Sequence, residues 1–140
     1  MKQEQFDIKF VRKWPEDEIV NLYKAGGWWK DHYDKSAIKH LIKGSFVFAI
    51  AIDKKTGKTI GMGRVLSDGV SDAYIQDLVI LSEFRAKGIG KKIVKKLINH
   101  CKSKNINWIA LIAEPDQEGF YENIDFKQMK NYTPMKYDEK

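Results

Sequence analysis

The chain predicts one α/β domain built on a mixed sheet flanked by helices, and three observations carry this. Runs rich in β-branched and aromatic residues alternate with amphipathic helical stretches in the order β-α-α-β-β-β-α-β-α-β-β. A glycine loop, Arg85 to Gly90, joins a strand-like run to a helix. Finally, 140 residues with 43% hydrophobic content are enough for one real core, and no repeat, low-complexity tract or linker divides them.

The elements follow in chain order. FDIKFVR, residues 6–12, alternates well enough for a first strand. Pro15 opens a helix over EDEIVNLYKA, whose first turn is acidic and which Gly26-Gly27 ends. Trp28, Trp29 and Tyr33 follow, then a second helix over roughly 35–43. SFVFAIAID and KTIGMGRVLS read as antiparallel partners around a polar turn at 53–57. Asp68-Gly69 marks the next turn, before the strand AYIQDLVIL. A helix over 88–103 carries Ile89, Ile93, Val94, Leu97, Ile98 and Cys101 on one stripe, with lysines opposite. NWIALIA has the character of a buried strand, residues 115–123 suit a short helix, and residues 125–138 suit two final strands.

Composition excludes several classes. No apolar run is long enough for a membrane span, and MKQEQFDIKF holds no apolar stretch of signal-peptide length, so a cytoplasmic protein is expected. Cys101 is the only cysteine, which rules out an intrachain disulfide and suits a buried structural thiol. His32, His40 and His100 lack metal spacing with one another or with Cys101, so no metal is expected. The net charge of +6 favours anionic partners. The lysines are not interleaved with aromatics and no helix-turn-helix or zinc pattern occurs, so nucleic acid is not an expected partner.

The glycine loop is more specific. After a strand and before a helix, its backbone N–H groups and the helix dipole make a receptor for a phosphate-bearing ligand. It is not a Walker A loop, because Ile52 and Arg85 stand where that motif needs glycine before Gly57-Lys58 and Gly90-Lys91. Nor is it a dinucleotide fingerprint, because Leu66 stands where the third glycine after Gly61 and Gly63 is required. Arg85-x-x-Gly88-x-Gly90 instead resembles motif A of the GCN5-related N-acetyltransferases. EGFYENIDF, Glu118 to Phe126, resembles motif B of that family. Two motifs about thirty residues apart and in the right order make a strong combined signal, and the resemblance extends over nearly the whole chain.

The resemblance implies a central mixed, mostly antiparallel sheet in a single domain spanning residues 1–140, and transfer of acetyl from acetyl-CoA to an amine. Arg85, Ala86, Lys87, Gly88, Ile89, Gly90 and Lys91 would hold the pyrophosphate. Backbone groups of Leu78, Val79 and Ile80 would pair with the pantetheine arm, and the N–H of Val79 or Ile80 would face the developing oxyanion. Tyr121 would protonate the leaving thiolate, since a phenol with a pKa of about 10 remains a proton donor. Two departures stand out. Asp125 replaces a glycine, where Asp tolerates the left-handed turn. Glu114 replaces an asparagine that contacts the cosubstrate.

The base is less determined. Relatives place a Glu or His at the positions of Tyr74 and Gln76, neither of which is a good base here, and both are expected to bind the acceptor. Asp77 is acidic, but strand alternation points it to the other face. A water relay ending on Asp77, Glu114 or Asp116 is preferred, and pairing of Asp77 with an arginine such as Arg64 is the alternative. Trp28 and Trp29 fall where the family builds its acceptor wall, and Arg64 would suit a carboxylate on the acceptor. The expected acceptor is the primary amine of a small molecule, with a protein lysine or N-terminus as the rival. A non-catalytic acyl-CoA sensor of the same fold and a basic nucleic-acid-binding domain are the readings from other classes. Tyr132, Met135 and Tyr137 would allow a homodimer through the C-terminal strands.

Overall fold

A computed structural model describes residues 5–139. Phe6–Phe10 (β1) pairs antiparallel with Val47–Asp53 (β2), from Phe6↔Asp53 to Phe10↔Ala49. β2 pairs antiparallel with Thr59–Ser67 (β3), and β3 with Asp72–Ile80 (β4). The last strand, Trp108–Ala110 (β5), joins β4 in parallel. The five-stranded sheet therefore runs in the order β1-β2-β3-β4-β5 and is mixed and mostly antiparallel, as expected.

The helices cover it. Glu16–Ala25 (α1) is N-capped by Pro15, carries Glu16, Asp17 and Glu18 in its first turn, and buries Ile19, Val20, Leu22 and Tyr23. Lys35–Ala37 forms a 3₁₀ turn capped by the Asp34 carboxylate, which accepts from the Ser36 N–H, and leads into Ile38–Gly44 (α2). Ile89–Ser103 (α3) buries Ile89, Ile93, Val94, Leu97 and Cys101. Val47 to Ala51 are buried without alternation, which requires cover on both faces of the sheet. Full burial of such side chains contributes ~1.5–3 kcal/mol each.

The packing forms two compact units, one ending at Ala110 and a second from Leu111 onward. The second unit holds a short helix, Glu118–Glu122 (α4), and turns. The two strands expected over 125–138 do not form among its described residues. An extended run becomes a strand only when an edge pairs its N–H and C=O groups, and alternation of apolar residues cannot supply that edge. Tyr132, Met135 and Tyr137 are accordingly exposed, at 73%, 90% and 85%. β5 is also shorter than the run NWIALIA suggested, and β1 stops at Phe10 rather than at Arg12.

Candidate active site

β4 passes through Leu81 and a 3₁₀ turn, Ser82–Phe84, into the glycine loop. Ala86 and Gly88 there take left-handed backbone, with φ of 62° and 82°. Gly88 is the N-cap of α3, and its carbonyl accepts the first helical bond, from the Lys92 N–H at 3.1 Å. The N–H groups of Ile89, Gly90 and Lys91 thus precede any helical acceptor, at the positive end of a 15-residue helix. No acidic residue lies in that first turn, and Arg85, Lys87 and Lys91 are exposed around it. A Cβ at Gly88 would meet nothing within 4 Å, so its constraint is backbone conformation and not space. Such a loop presents converging donors and positive charge to a phosphate.

Among the described residues no strand pairs with the outer edge of β4 next to the loop, its open edge. Pairing with β5 covers Asp72 to Tyr74 and stops there, while β4 continues to Ile80. The Leu81 N–H donates to the Ile60 carbonyl at 2.8 Å. Antiparallel pairs alternate, so this bond turns the backbone groups of Val79 toward Met62 on β3 and those of Ile80 away from β3. The Ile80 carbonyl accordingly accepts from Arg85 Nε at 3.0 Å. Of the two N–H groups expected to face an oxyanion, that of Ile80 lies on the open edge and that of Val79 faces β3.

Regular alternation along β4 ends at Asp77. Ala73 and Ile75 are buried and Tyr74 and Gln76 exposed, but Asp77 has φ of 60° and the register with β3 shifts there. Met62 faces Val79 and Arg64 faces Gln76, so Asp77 and Leu78 together stand opposite Gly63 in a β-bulge. The alternation argument for the direction of Asp77 therefore does not apply. Its Oδ2 accepts from the Tyr23 hydroxyl of α1 and from Arg64 Nε, both at 2.7 Å. Burial and the Asp77 carboxylate push the Tyr23 phenol far above its ordinary range. The pairing of Asp77 with Arg64 is the alternative that the sequence had offered to a role as base. Tyr23 went unnoticed because a tyrosine on the apolar stripe of α1 gives no sign of being anything but core.

The other expected site residues are placed as follows. Tyr74 packs edge-on against Trp108 with ring centroids 5.6 Å apart, and Gln76 is exposed on the same strand. Trp28 lies edge-on to Tyr23 at 6.2 Å, and a Cβ at Gly26 would come within 2.7 Å of its ring. Trp29 contacts Tyr33 in the same manner at 5.4 Å. In the second unit, Tyr121 of α4 is half-buried, flanked edge-on by Phe120 and Phe126 at 4.9 and 5.7 Å. Burial and the Glu114 carboxylate push its phenol pKa up, which keeps the proton on it. Asp125 has φ of 70°, the left-handed turn expected of it in place of glycine. Cys101 is fully buried, and burial pushes its thiol up. Among the described residues no cluster of His, Cys, Asp or Glu could hold a metal ion.

The family model described as Acetyltransferase (GNAT) domain matches residues 17–136. The chain belongs to the GNAT acetyltransferase family. Among its relatives is an uncharacterized N-acetyltransferase, ycf52, of Pyropia yezoensis, 34% identical over 111 residues. That match covers 78% of this chain, which spans 63% of the relative's length. Among solved structures, a GNAT family acetyltransferase from Streptococcus pneumoniae TIGR4 superposes with a TM-score of 0.81 at 24% identity, covering 96% of this chain and 98% of that one. AAC(6')-Iy in complex with the bisubstrate analog CoA-S-monomethyl-acetylneamine superposes with a TM-score of 0.75 at 17% identity, covering 98% and 99%. These likenesses are of fold.

Proposed function

We propose that this acetyltransferase carries acetyl from acetyl-CoA directly to the primary amine of a small molecule. The observation that carries the reading is the continuity of the open β4 edge with the left-handed, cationic loop that starts α3. A ligand combining an extended amide-bearing arm with a pyrophosphate suits those two features together. The arm would add to the edge as one more strand, and the N–H groups of the loop would hold the phosphates. The CoA-based analog on AAC(6')-Iy, which shares the fold, supports the same cosubstrate.

Acetyl-CoA, when bound, supplies the acyl group as a thioester. Tyr121 is the proposed proton donor to the thiolate, on its motif and on a phenol that keeps its proton. Asp77, tied to Arg64 and Tyr23, leaves proton removal to solvent, through a water relay ending on Glu114 or Asp116. The same engagement of Asp77 favours a second reading, a binding protein for acyl-CoA without turnover. We also propose that the exposed Tyr132, Met135 and Tyr137 meet a second copy of the chain.

The test is thiol release from acetyl-CoA over polyamines, arylalkylamines, amino sugars, amino acids and lysine peptides, with wild type beside Tyr121→Phe. Amine-dependent release that falls in the variant supports the transferase. A melting shift with CoA and no release on any amine would leave the binding protein. Light scattering over a dilution series tests the dimer, and a mass of one chain at all concentrations would end that part.

A further inference from the structure

We propose that Asp77, Arg64 and Tyr23 form a lock that sets the backbone of β4 for acyl transfer, with Asp77 a positioning residue and not the base. The proposal rests on the transferase reading. The bulge of β4 is the place where the strand leaves regular pairing and enters its open edge. Asp77 takes the left-handed conformation that the bulge requires, which Asp tolerates better than most residues with a side chain, and its side-chain bonds hold it there.

The constraint comes from three elements. Arg64 reaches Asp77 from β3, one residue beyond the Gly63 that stands opposite the bulge, and Tyr23 reaches the same oxygen from α1. Arg64 Nη1 also donates to Ser45 Oγ at 3.4 Å, and Ser45 Oγ to the Leu41 carbonyl of α2 at 2.7 Å. The Arg64 and Asp77 side chains are only 15% and 21% exposed, so solvent screens their bond weakly and charge strengthens it.

The third element is α3. Gly63 stands opposite the bulge, and a Cβ there would lie 3.0 Å from Ile93 Cγ2, 3.3 Å from Leu78 Cδ1 and 3.4 Å from Leu97 Cδ1. The helix that begins at the phosphate loop therefore rests on the bulge through a position without a side chain. At the far end of the open segment, Arg85 holds the Ile80 carbonyl. Leu78, Val79 and Ile80 are thus bracketed between the lock and the loop. Shifts of about 1 Å in groups that face a reacting centre cost on the order of a hundredfold in rate.

The experiment compares Asp77→Asn, Asp77→Gly and Tyr23→Phe in the full chain. Asparagine still accepts a hydrogen bond and tolerates left-handed backbone, whereas glycine keeps the backbone and loses the lock. For Asp77→Gly, kcat should fall about 10- to 100-fold with KM for acetyl-CoA changed less than about threefold. Asp77→Asn should stay within about fivefold of wild type with an unchanged pH profile. Loss of activity in Asp77→Asn together with loss of the acid-side limb of the profile, the limb that reports a base, would make Asp77 the base and overturn the proposal. Wild-type kcat in Asp77→Gly would overturn it as well.

Amide hydrogen exchange at Leu78–Ile80 reads the lock without turnover. Faster exchange in Tyr23→Phe and Asp77→Gly supports it, and unchanged exchange in both overturns it. Faster exchange in the two variants, with a wild type that acetylates no amine, would fail only the transferase reading.

Discussion

Arg85 opens the glycine loop and its Nε donates to the carbonyl of Ile80, the last residue of β4, at 3.0 Å. One side chain so ties the cationic loop to the open strand edge. The edge and the loop are five residues apart in sequence, and this bond fixes how they stand to each other.

Replacing Arg85 with Met should release that tie while leaving the core intact. Tm should change little, because Arg85 is exposed. If the loop holds the phosphates of acetyl-CoA as proposed, KM for acetyl-CoA should rise about tenfold, as expected for loss of one charged contact and one hydrogen bond beside them. Steady-state kinetics over acetyl-CoA concentration checks this, and an unchanged KM would show that the tie is dispensable.

Gly88→Val places a β-branched residue at φ of 82°. The open space around it does not help, since the strain is in the backbone. Stability should fall by about 1–2 kcal/mol, and calorimetric CoA binding should be lost. Gly88→Asn, better suited to left-handed backbone, should lie between wild type and the valine variant in both measurements.

Tyr121 carries a pH prediction. Its phenol pKa is raised, first by burial and then by Glu114, so the proton is retained beyond the ordinary phenol value. If Tyr121 is the acid, the alkaline fall of kcat attributable to it begins above pH of about 10. Glu114→Gln removes a negative charge that disfavours the phenolate, so that fall should move to lower pH. A limb that does not move on this substitution would argue against Tyr121 as its source.

His100 gives a stability prediction. It lies between Phe10 and Phe46, with ring centroids 5.3 and 5.4 Å away. These residues line a groove of about 200 Å³ together with Arg12 and Ser45. Burial, and then Lys104, push its pKa below the ordinary value. The unfolded chain therefore takes up a proton first as pH falls through about 6.5, and stability declines on the acid side. His100→Gln should flatten the dependence of Tm on pH between about 7 and 5. A slope unchanged by the substitution would refute this.

The periods and punctuation of the chain carried most of the fold. Alternation in FDIKFVR located β1, β-rich runs and the polar turns between them located β2 to β4, the apolar stripe from Ile89 to Cys101 located α3, and Pro15 located α1. Such signals are local, as each is written in residues two, three or four positions apart. The glycine loop was equally readable, because a glycine pair between a strand-like run and an amphipathic run marks a helix N-terminus there, whereas the left-handed backbone at Ala86 and Gly88 came with the structure.

What the packed chain added lies where distant segments meet. The bulge at Asp77 needs Gly63 across the sheet, Arg64 on β3 and Tyr23 some fifty positions earlier, and no local pattern announces that encounter. Residues 125–138 show the converse. Their strand-like composition has no outcome of its own, because a strand is completed by the hydrogen bonds of another segment, and composition cannot say whether one will be there.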